Sequence, residues 1–100
     1  MKPHTKLYIK SLGYDISDFM PCEISGQKGV DIHHIVDRAN RIENLMLLTR
    51  EIHAKCGEVK SKMSYLLIAH RAFLSDNGVK FDNNWFKEQI EKYSIYEDNS

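Results

Sequence analysis

Three of the chain's five histidines, His33, His34 and His53, fall in one stretch with a single well-placed asparagine, Asn44. Nine residues separate His34 from Asn44, and eight separate Asn44 from His53. Imidazoles can hold a divalent cation while leaving coordination positions open for another ligand. A further neutral imidazole, with an unperturbed pKa near 6.5, can accept a proton at physiological pH. Two such ligands beside one such base would suit phosphodiester hydrolysis. That reaction needs an activated water, charge held on phosphorus and a stabilised leaving oxygen.

The elements that must position these residues are readable around them. Val30 to Val36 is rich in β-branched residues and reads as a strand, with Val30, Ile32, His34 and Val36 alternating onto one face. Asp37 to Ile42 is polar and reads as a loop. Leu45-Met46-Leu47-Leu48 suits the second strand of a hairpin, buried on both faces. Thr49 is a good cap for a helix that carries His53, with Glu51 in its first turn and Gly57 near its end. A strand, a loop, a strand and a helix start would gather the three histidines about one point. Adjacent strand residues point to opposite faces, so His33 and His34 would approach that point from different sides.

Further elements flank this unit. Pro3 and Gly13 bracket a first helix. Pro21 precedes a turn at Cys22 to Gly26. Ser61 is the expected cap of a helix with Met63, Leu66, Leu67, His70, Phe73 and Leu74 on one face, ended by Asn77-Gly78. Asn84 is the expected cap of a last helix built on Trp85, Phe86, Ile90 and Tyr93. The order gives an α+β fold. The expectation is a single domain over residues 1–100, with a motif core at about 20–60 and C-terminal helices at about 61–95.

The string His33-His34-Ile35, Asn44-Leu45-Met46-Leu47-Leu48, His53 resembles the signature of the HNH endonucleases, over roughly residues 20–60, and of their small phage-type members in particular. The resemblance implies a ββα-metal core and metal-dependent cleavage of DNA. It implies His33 and His53 as metal ligands, His34 as the general base, and Asn44 as the residue that orients the base or binds the metal. Orientation is the role expected here. Asn40 is the rival for it but lacks the Leu-x-x-Leu that follows Asn44, and Asp31 is a further possible ligand. Two departures stand out. Many members carry two Cys-x-x-Cys pairs around a structural zinc. Here the first has become Cys22-Glu23-Ile24-Ser25 and the second would fall at Thr49 and Ile52, so no structural zinc is expected. Other members place a histidine four residues after the helical one, and that position is Gly57. The expected cofactor is one divalent ion, Mg²⁺, Mn²⁺, Ni²⁺ or Zn²⁺, held by two histidines and water.

Composition bounds the rest. With 14 basic and 14 acidic side chains the chain is not a polycation that coats nucleic acid by charge alone. Residues 26–62 carry seven basic side chains against five acidic, and residues 76–100 three against six. Arg38, Arg41, Arg50 and Lys55 are the expected phosphate contacts near the motif. His70, on an apolar face, reads as a satisfied core histidine. Cys22 and Cys56 read as inert packing residues, against a mixed Cys22, His33, His53, Cys56 zinc site. The sequence shows neither a signal peptide nor a membrane span, and two cysteines form no disulfide framework; a cytoplasmic protein is expected. DNA is the expected partner, with no membrane involved. A homodimer or a larger phage or host protein suits so small a domain. Two other readings stay open: a non-catalytic nucleic-acid-binding or assembly module on the same scaffold, and a zinc-stabilised structural domain.

Overall fold

The computed structural model describes residues 1–97; Asp98 to Ser100, the end of the acidic tail, lie outside the described residues. It is a small α+β fold with one two-stranded antiparallel sheet and four α-helices. Helix α1 runs Pro3–Leu12, and Gly13 ends it at φ 73°, in the left-handed region where a Cβ is disfavoured. Strands β1 (Asp31–His34) and β2 (Leu45–Leu48) pair with Asp31 opposite Leu48 and His34 opposite Leu45.

β1 is shorter than the Val30–Val36 run suggests. Asn44 is the reason. Its backbone carbonyl accepts the Ile35 N–H at 2.8 Å, but its side-chain Oδ1 then takes the Val36 N–H at 2.9 Å, so the ladder stops there. β2 is buried along its whole length, as a four-residue apolar run requires. Its alternation divides the core. Leu45 and Leu47 pack with Tyr8 of α1 on one face of the sheet. Met46 and Leu48 pack on the other with Leu66, Leu67, Leu74 and Phe86. The strand register therefore turns His34, opposite Leu45, towards α1, and His33, opposite Met46, towards the other layer.

Helix α2 (Arg50–Cys56) starts where Thr49 Oγ1 accepts the Ile52 N–H at 3.2 Å. Helix α3 (Met63–Asp76) is entered through a 3-10 turn at Lys60–Lys62, so Ser61 lies inside that turn and does not cap it. Helix α4 (Asn83–Ser94) is capped by Asp82, whose Oδ1 accepts the Trp85 N–H at 3.1 Å. The expected cap, Asn84, lies within that helix's first turn. No helix among the described residues is long and apolar enough to cross a membrane.

One polar cluster crosses this core. The Glu23 side chain is fully buried and accepts from Tyr8 Oη at 2.6 Å and from the Leu47 N–H at 3.2 Å. His70 Nδ1 faces Glu23 Oε1 at 2.6 Å, and His70 Nε2 donates to the Ile42 carbonyl at 2.6 Å. Every polar atom of the His70 ring is thereby paired, the condition for burying it. This is the satisfied core histidine that its helix face suggests.

Candidate active site

The site is built at the end of β1 that faces α2. His33 is 3 % exposed, and its Nε2 is a buried side-chain nitrogen without a hydrogen-bond partner among the described residues. Such a group costs about 1–3 kcal/mol, so its persistence calls for a reason. The ring lies against His53 from α2, with centroids 4.7 Å apart. Burial, and then the neighbouring His53, push the His33 pKa down to about 4, against a smaller opposing pull from the Glu58 carboxylate. The ring is therefore neutral at physiological pH, with a lone pair to offer.

His53 is oriented from behind. Its Nδ1–H donates to Asp31 Oδ2 at 3.1 Å, which leaves the lone pair on Nε2. Carboxylates in this position commonly fix the tautomer and direction of a metal-binding imidazole. Asp31 Oδ1 accepts from Arg50 at 3.1 Å. Those hydrogen bonds, Arg50's first and then that of His53, hold the Asp31 carboxyl below the usual carboxylate range. Gly57 makes room for the pair. A Cβ there would lie 2.6 Å from His53 Cδ2 and 3.3 Å from His33 Cε1. The glycine at the C-cap of α2 is thus required by close approach of the two rings and of the His53 carbonyl, which such a Cβ would also meet at 2.6 Å.

His34 turns to the opposite face of β1. Its Nε2–H donates to Asn40 Oδ1 at 2.9 Å, so the other nitrogen, Nδ1, keeps its lone pair. Asn44 is fully buried and never reaches the His34 ring. Its amide donates to the Asp37 carbonyl at 2.9 Å, the Ala39 carbonyl at 3.0 Å and Asp37 Oδ1 at 3.1 Å, while Oδ1 holds Val36. Asn44 shapes the 36–40 loop, and Asn40, carried on that loop, touches His34. The one oxygen of the Asn44 side chain, Oδ1, is the atom that the Val36 N–H engages.

His33, His34 and His53 line a common cleft of about 360 Å³ with Asp37, Arg38 and Glu58. Among the described residues no three His, Cys, Asp or Glu side chains converge as a ready-made metal cage. The donor set is two imidazoles with one buried unpaired nitrogen, which fits a cation whose other positions are filled by water or phosphate.

The expected phosphate contacts separate. Arg38 lines the cleft. Arg50 is half of the Asp31 pair, and the exposed Lys55 pairs with Glu51 at 3.0 Å. Arg41 is turned inwards: its Nε meets Glu43 at 3.0 Å, and its guanidinium lies 5.0 Å from the Trp85 ring centroid. It braces the start of α4 and does not point at the cleft. Cys22 is core, and Cys56 is half-buried at the end of α2.

Of the two further residues beside His34, Asn40 is the rival that the sequence offers, and His4 carries no local signal. Asn40's contact depends on the loop shape that Asn44 imposes. His4, from α1, stacks edge-on against His34, 30 positions along the chain, with centroids 4.9 Å apart.

Compared with protein-family models, with curated proteins and with solved structures, the chain matches none.

Proposed function

We propose that this protein is a metal-dependent DNA endonuclease whose reaction centre is the β1–β2–α2 unit, a ββα-metal core. The observation that carries the reading is the buried, neutral, partnerless Nε2 of His33 lying against a second imidazole that Asp31 has oriented. A core histidine with no other duty would be paired, as His70 is. His33 and His53 would hold the ion, and its positive charge would stabilise the charge that develops on the phosphate.

The chain's own groups supply the rest. Asn40 fixes the His34 ring through Nε2, so Nδ1 is the atom that takes a proton from water as the oxygen attacks phosphorus. The leaving 3′ oxygen takes a proton from solvent, and His34 then loses its own to bulk water. Asn44 holds the loop that carries Asn40. Arg38, which lines the same cleft as His34, would contact a phosphate of the bound strand.

Plasmid nicking over Mg²⁺, Mn²⁺, Ni²⁺ and Zn²⁺ tests this. Metal-dependent nicking is expected, with His34→Ala lowering turnover at least about 100-fold, the usual contribution of a general base. Metal binding should be unchanged in that variant. Equal rates for His34→Ala and parent at matched metal would refute the assignment. DNA binding without cleavage under any of the four metals would instead make the chain a non-catalytic binding module.

A further inference from the structure

His34 has a second wall that the motif does not provide. On the α2 side lie the two proposed metal ligands; on the other side lies the first turn of α1. There the His4 ring meets the His34 ring, and the cleft beside them is lined by Lys2, His4, Thr5, Asp31 and His53. His4 is half-buried and has no hydrogen-bond partner among the described residues. Lys2 is exposed and has no ion-pair partner among them. The one acid in the cleft, Asp31, is already paired with Arg50 and accepts the His53 Nδ1–H. Between Met1 and Asp15 there is no acidic residue, while Lys2 precedes α1 and Lys6 and Lys10 lie on it. The cleft therefore carries an ammonium without an ion-pair partner among the described residues and an unused imidazole whose ring touches that of His34, which itself lines the neighbouring cleft.

We propose that Lys2 and His4 form a subsite for the nucleic-acid backbone: His4 donates a hydrogen bond to an oxygen of the phosphate presented to His34, and Lys2 takes the neighbouring phosphate. The inference rests on the nuclease reading for its ligand, and it enlarges the site by an element the motif does not include. A phosphodiester at His34 would be flanked by metal-holding imidazoles on the α2 side and by a hydrogen-bond donor and an ammonium on the α1 side. Burial, and then the His34 ring and Lys2, keep the His4 pKa below its ordinary range, so a neutral ring donates one N–H there.

The test uses the full chain, a fluorescein-labelled DNA duplex and two readouts. The first is anisotropy in EDTA over 50–200 mM salt. Lys2→Ala should flatten the dependence of log K on log salt by about 0.9, the loss of one phosphate contact. Lys2→Arg should keep the parent slope, and Lys87→Ala, on α4, should leave both slope and affinity unchanged. The second is cleavage kinetics at fixed metal. His4→Phe, which keeps the ring contact with His34, should lower kcat/KM at least about tenfold, the scale of one lost hydrogen bond to a charged group. His4→Gln, which restores an N–H donor, should recover part of it. Melting temperatures of all variants should stay close to the parent's.

Parent-like behaviour of both Lys2→Ala and His4→Phe would overturn the proposal, even if the parent nicks DNA. So would an equal loss in Lys87→Ala, which would mark the effect as general charge. A parent that binds phosphatidylserine vesicles and not the duplex would assign the lysine to a membrane surface, and the proposal would be wrong. A parent that binds the duplex but nicks under no metal would remove the nuclease reading alone, and the salt series would still decide the subsite.

Discussion

Replacing His33 by phenylalanine separates a structural histidine from a functional one. The parent buries a ring nitrogen with no partner, at a cost of about 1–3 kcal/mol. Phenylalanine fills nearly the same space without that atom, so at pH 7 the variant should be within about 1 kcal/mol of the parent or more stable. Acid sharpens the contrast. The folded pKa of His33 is about 4, below its ordinary 6.5, so the unfolded chain binds more protons between those values. His33 therefore contributes stability in full above pH 6.5, and that contribution is lost as pH falls towards 4. Across the whole window the loss is about 3 kcal/mol, and at pH 5 about 2 kcal/mol. The variant should not show this loss. Urea unfolding followed by Trp85 fluorescence at pH 7 and pH 5 measures both quantities. Metal adds a third: a ligand at 100 times its Kd stabilises the parent by about 2.7 kcal/mol, and should leave the variant unmoved. A variant that is destabilised by more than about 3 kcal/mol at pH 7, and that still gains stability from metal, would refute the reasoning.

Other perturbations probe the supports of the site. Asn44→Ala strands the Val36 N–H and the carbonyls of Asp37 and Ala39; a loss of about 2–5 kcal/mol is expected in urea unfolding, with nicking lost as Asn40 drifts from His34. Gly57→Ala places a Cβ 2.6 Å from His53 Cδ2, so the ring must move; calorimetry should show Mn²⁺ or Ni²⁺ affinity falling at least about tenfold, the scale of a disturbed outer shell. Glu23→Gln breaks a fully buried pair with His70 and should cost about 3–5 kcal/mol, read as a lower denaturation midpoint.

Much of this architecture is written in local signals. Pro3 and Gly13 mark the ends of α1 because each has a conformational preference of its own, and Thr49 marks α2 because its hydroxyl serves an N–H three residues on. Where several residues compete for one role, sequence is less decisive. Asp82, Asn83 and Asn84 are all good caps, and the helix starts from the first of them. Lys60–Lys62 forms a 3-10 turn that Ser61 alone does not foretell. Within the site, the pairing of His33 with His53 follows from strand, loop and helix lengths. The division of labour between the asparagines does not. It depends on Asn44 being fully buried, which leaves the loop to deliver Asn40 to His34. His4 is illegible for a simpler reason: its neighbour is 30 positions away, and only the stacking of α1 on β2 brings them together.

The Tyr8–Glu23–His70 cluster has a consequence for anyone who would cut the molecule down. The hairpin and α2 look like a portable cassette, yet Glu23 sits just ahead of them and spends its carboxylate on a phenol from α1 and an imidazole from α3. Excising the cassette would strip that acid of two of its hydrogen-bond partners, or force the surrounding leucines open to water. Residues 20–60 are therefore not a self-sufficient folding unit, and a transplant of the chemistry to another scaffold must carry the helices on both sides.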